Sequence, residues 1–223
     1  MTSLIHVSFR RFGVVAILVV LTQCLLLPSG QQGPEKQKEG SSVNWDLVKQ
    51  AMDAYESSPS KETARCLLAV IPEERAVSQI GNRKAVVIAL INSIPIEKAI
   101  ISGDALLAET AFRLLGYMQG GVVDEELRIM LGRFLTKRPE AFLRLLKNYH
   151  DLFATERDYP IDMTEILEIV PDITSKEESR LRKREETRLF TERIKALESV
   201  EDPELTDLRD ACIRVIRAII NKL

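Results

Sequence analysis

Histidine is almost missing from this chain: there are two in 223 residues, His6 and His150. With one histidine beyond the first thirty residues, any site built on two histidines is excluded, as are most histidine-based proton relays. Aromatic residues are scarce at 5%, and the three cysteines are Cys24, Cys66 and Cys212. Neither charge dominates, since 31 basic and 33 acidic side chains leave a net −2. A general nucleic-acid binder needs a basic surplus for its phosphate contacts, so that class is set aside. Nine prolines and ten glycines are too few for a fibrous or low-complexity chain. The G-x-G-x-x-G turn, P-loop, C-x-x-C pair, H-E-x-x-H helix and G-x-S-x-G elbow are all missing. With them go the commonest nucleotide, redox, zinc and serine-hydrolase readings. The expectation is a protein without metal or cofactor.

What is present begins with an export signal. Residues 1–30 hold Arg10 and Arg11, no acidic residue, an apolar run Phe12–Leu27 (FGVVAILVVLTQCLLL), and a Pro28-Ser29-Gly30 exit. A positive start, an apolar middle and a small-residue exit are the pattern of a secretory signal. The arginines stay on the cytoplasmic side, so the rest is expected to be exported to a periplasmic or other extracytoplasmic space. Three fates fit the segment. The run has 16 residues with two polar interruptions, short of the ~20 a permanent span needs, which favours cleavage. Retained, residues 12–27 would anchor the chain to the membrane. The stretch Leu21-Thr22-Gln23-Cys24 resembles a bacterial lipoprotein box, departing from it at Gln23, and implies lipidation of Cys24 as the third fate.

Residues 31–43 (QQGPEKQKEGSSV) are polar and aperiodic and read as a flexible linker. From Asn44 to Leu223 the apolar spacing is helical, predicting a single all-helical domain. Asn44 caps a helix through Trp45, Val48, Met52 and Tyr55, and Ser60 with Thr63 opens a second, closed by Pro72. Arg83–Ile94 is apolar on every side and predicts a central buried helix. Asp104 caps the next, Gly120-Gly121 end it, and Asp124 caps its successor. Pro139 opens a helix, a short one follows at 162–169, and residues 174–199 form a long charged one. Pro203 opens the last, with Leu205, Leu208, Cys212, Val215, Ile216 and Ile219 in a stripe. Nine or ten helices with short turns and no sheet predict an all-α fold. Its form is either an irregular bundle or a short α-solenoid of stacked helix pairs, in the style of HEAT, armadillo or TPR arrays.

Few residues suggest chemistry. His150 ends a helix, where the dipole favours a cation, and reads as a surface residue. Cys66 and Cys212 lie on apolar faces and read as buried free thiols, with a disulfide between them, which an exported compartment would permit, as the alternative. Asp124-Glu125-Glu126 begins a helix, where carboxylates complement the dipole without metal or catalysis. Glu109-Thr110-Ala111-Phe112 followed by Gly116-Tyr117-Met118-Gln119 resembles the catalytic stretch of helical lytic transglycosylases. That resemblance implies glutamate chemistry on cell-wall glycan at Glu109. The pattern departs from the family in its short interval to Gly116, in Thr110, and in the lack of a following Asn-Pro. Glu109 also falls on the helix side away from Leu107 and Ala111, as a solvated glutamate would.

Residues 176–195 carry eight basic and five acidic side chains. Leu181 is the only apolar residue from Thr174 to Thr187, so this half-helix has no core face of its own. It is either a solvated, ion-paired surface or an arm for a partner, with Arg182, Lys183, Arg184 and Arg188 as candidate contacts. The primary expectation is an exported, non-enzymatic protein-interaction module with a protein partner. A cell-wall-acting enzyme centred on Glu109 is the alternative.

Overall fold

The computed structural model of the chain describes residues 43–71, 83–117, 122–149 and 176–223, and of 83–84, 116–117, 122–124 and 176–182 the backbone alone. The described residues form nine α-helices, one 3-10 turn and no strand, as the all-α expectation requires. The signal segment with Cys24, the linker up to residue 42, Pro72, His150 and the helix expected at 162–169 lie outside them. Packing divides the chain into two compact units, 1–96 and 97–223.

In the first unit, Val43 is buried, so the last linker position belongs to the folded part. Asn44 takes an extended conformation and its Oδ1 accepts from the amides of Asp46 and Leu47, starting α1 (Trp45–Ser57). Trp45, Val48, Ala51, Met52 and Tyr55 then face inward at the three- and four-residue spacing of a helix stripe. Ser60 and Thr63 form a reciprocal capping box at the start of α2 (Lys61–Ala69), satisfying two otherwise orphaned amides. The third helix, α3 (Arg83–Ile91), packs with α2 around α1. It buries Val86, Val87 and Leu90, while Ile88 is 36% exposed. The expectation of burial on every side is therefore corrected: the β-branched run has one inner face. The run also stops at Ile91, because Pro95 lacks an amide hydrogen and its ring would collide with the carbonyl four residues back.

The next helix, α4 (Ile94–Ser102), was not separated by periodicity, and the division between units falls within it. It closes on Gly103, whose φ of +105° is a conformation glycine adopts without Cβ strain. The amides of Gly103 and Asp104 return to the carbonyls of Ile100 and Ala99, the two bonds of a Schellman close. Asp104 then turns from closing α4 to opening α5 (Ala105–Tyr117), its Oδ1 accepting from Leu106 and Leu107.

Within the second unit, α6 (Val122–Lys137) starts two residues before Asp124, so Asp124 lies in its first turn rather than capping it. The paired valines extend the helix backwards, and the acidic run still complements the dipole. Pro139 occupies the first position of α7 (Pro139–Asn148) as expected. The long α8 (Lys176–Glu198) packs against α6, α7 and α9 (Thr206–Ile220). Pro203 opens a 3-10 turn, Pro203–Leu205, rather than the helix itself, with Asp202 capping it through the Glu204 amide. The core gathers Leu107, Phe112, Leu131, Phe134, Phe142, Leu146, Phe190, Leu197 and Ile216, each at most 1% exposed. Each such side chain contributes about 1.5–3 kcal/mol.

Candidate functional site

The described half of α8 has a clear inner line. Glu186, Phe190, Arg193 and Leu197 are buried, spaced four, three and four residues apart. Just ahead of that line, Lys183, Arg184 and Glu185 are all exposed. Successive helical residues are ~100° apart, so three exposed in a row cover more than half the circumference. Arg182 lies on the same helix, its side chain outside the described residues.

Arg188 is exposed but engaged. Its Nε donates to Glu185 Oε2 at 2.9 Å, its Nη2 to Glu185 Oε1 and its Nη1 to Glu192 Oε1. The hydrogen bond to Glu185, then Coulomb attraction, raises the guanidinium pKa, and Arg188 holds the Glu185 carboxyl below its usual range. Lys183 and Arg184 make no ion pair among the described residues.

Glu109 is placed differently from the solvated residue that helical phase predicts. Its side chain is 25% exposed, and its Oε1 accepts from Tyr149 Oη at 2.6 Å and Arg113 Nη2 at 2.8 Å. Arg113 Nε also donates to Tyr149 Oη at 3.0 Å, and the Phe112 ring stacks on Tyr149 with centroids 6.3 Å apart. Burial first, then the hydrogen bond to Glu109, pushes the Tyr149 phenol up to about 12. The phase argument missed this because Arg113 sits one turn along α5 and Tyr149 arrives from the end of α7. Only the first of those spacings is visible in the chain.

Arg193 was counted among the charges of the solvated face, yet it is 1% exposed. Its guanidinium lies over the backbone of Gly132 on α6, where a Cβ would stand 1.9 Å from Nη2. Burial, and secondarily Arg133, pushes it down to about 10. The visible signal was a glycine inside a helix, which normally costs ~1 kcal/mol and implies a close approach.

A cleft of about 430 Å³ opens at the start of α7, lined by Lys137, Arg138, Glu140, Arg144, Ser199 and Val200 among others. Arg144, on its lining, pairs with both Glu140 and Asp202. Among the described residues no three histidine, cysteine or acidic side chains are grouped as a metal site would need. Cys66 and Cys212 are buried thiols, and burial pushes Cys212 up to about 12, a value at which the nucleophilic thiolate is absent at neutral pH. No single described helix is long and apolar enough to cross a membrane. Comparison with family models, curated proteins and solved structures returns no match.

Proposed function

We propose that this chain is an exported, non-enzymatic helical module that binds a protein partner through the first half of α8. The carrying observation is the run of three exposed charged residues at 183–185 on a helix anchored through Phe190, Arg193 and Leu197. A rigidly held charged helix suits recognition better than a charged loop, because little ordering entropy is lost on binding. In this reading α6–α7 and α8–α9 are stacked helix pairs of the kind that give helical arrays broad surfaces. Residues 1–30 direct export, and their fate decides whether the module is released or held at the membrane. The commitment of Glu109 Oε1 to Tyr149 and Arg113 supports the non-enzymatic reading. A cleaving glutamate must instead face the glycosidic oxygen of a sugar.

In-cell cross-linking of the tagged full chain tests the proposal. A near-stoichiometric partner is expected, lost when Arg182, Lys183, Arg184 and Arg188 are all changed to Glu, with circular dichroism unchanged. Recovery of the chain alone, or a partner indifferent to the reversal, overturns it. So would peptidoglycan cleavage by the wild type that Glu109→Gln abolishes.

A further inference from the structure

We infer that the candidate cations of α8 divide into two roles: Lys183 and Arg184 present charge to carboxylates of an acidic partner segment, while Arg188 braces the helix. The inference rests on the interaction reading above and names the partner's chemistry.

Side chains three and four positions apart are the neighbours on a helix surface. Arg188 has Glu185 and Glu192 at those offsets and binds both. Arg184 has Leu181, Arg180, Thr187 and Arg188, so none of its neighbours carries a negative charge. Lys183 has Ser179, Arg180 and Thr187, and its one acidic neighbour, Glu186, is buried at 7% exposure. The helix therefore satisfies Arg188 internally and leaves Lys183 and Arg184 exposed and unpaired among the described residues. Arg180 and Arg184 also stand four residues apart, and like charges so spaced destabilise a helix. A partner bringing carboxylates to this edge relieves that repulsion and meets two cations with no internal competitor. An acidic helix fits this pair, because side chains three and four apart set several carboxylates along one edge at little ordering cost.

The test uses the full chain and a fluorescent helical peptide with glutamates at four-residue spacing, read by anisotropy, with anionic phospholipid vesicles as a second probe. Lys183→Glu with Arg184→Glu is expected to weaken peptide binding about tenfold or more. Arg188→Gln should change it less than about twofold and lower the melting temperature instead. Added salt should weaken wild-type binding. Equal loss from Arg188→Gln, no loss from the double reversal, or preference for vesicles over peptide would each overturn the inference. The two readings fail separately. If cells yield no cross-linked partner, the interaction reading is wrong; if they yield one insensitive to the double reversal, only the division of roles is wrong.

Discussion

Arg193 and Gly132 show how one residue's size sets another's place. The guanidinium occupies the space a Cβ would take, and its burial leaves little room to swing away. Gly132→Ala is expected to cost about 1–3 kcal/mol by overpacking, read as a lower urea midpoint. Adding Arg193→Met should recover part of it, whereas equal loss in both variants would place the strain elsewhere. Tyr149 offers a second test. Its phenol ionises at about 12 rather than 10, a value raised in the folded state. The stability this provides is complete below pH 10 and disappears as pH climbs through 12. Phenolate absorbance should therefore show a late-titrating tyrosine signal that is missing in Tyr149→Phe. That variant should also lose about 1–3 kcal/mol, since it removes the donor to Glu109 and the acceptor for Arg113.

At the scale of elements, helix starts were the most legible feature. Asn44, Ser60, Asp104 and Pro139 all act as their side-chain chemistry implies. Ser60→Ala removes the acceptor for the Thr63 amide and should cost about 1 kcal/mol; a thermal shift within error of wild type would refute that. Where local chemistry was silent, boundaries moved. Nothing at Val122 advertises a helix start, and the Schellman close at Gly103 needs a backbone angle that composition does not print. Arg83–Ile94 misled because an all-apolar run carries no period from which to infer an inner face.

For the molecule as a whole, the division at residues 96 and 97 was not legible, since helical periodicity continues across it. A chain cut to residues 94–223 is expected to keep its helicity and unfold cooperatively, because the second unit has its own core from α5 to α9. A broad, non-cooperative melt by circular dichroism would show that core to be insufficient. The candidate surface was half legible. Charge density along 176–195 marked the helix, but whether each cation faced water, an acidic neighbour or the core was hidden.

Local chemistry in the sequence determined that the described residues are helical, where most helices begin, and that the long charged helix carries almost no apolar residue over 174–187. Those properties depend on neighbours within a turn of one another. Tertiary structure alone decided that Arg193 is interior, that Glu109 is held by Tyr149 forty residues away, and that the turn at 183–185 stands exposed. Each of these depends on which distant helix lies alongside, and contacts between elements leave no period in a single chain.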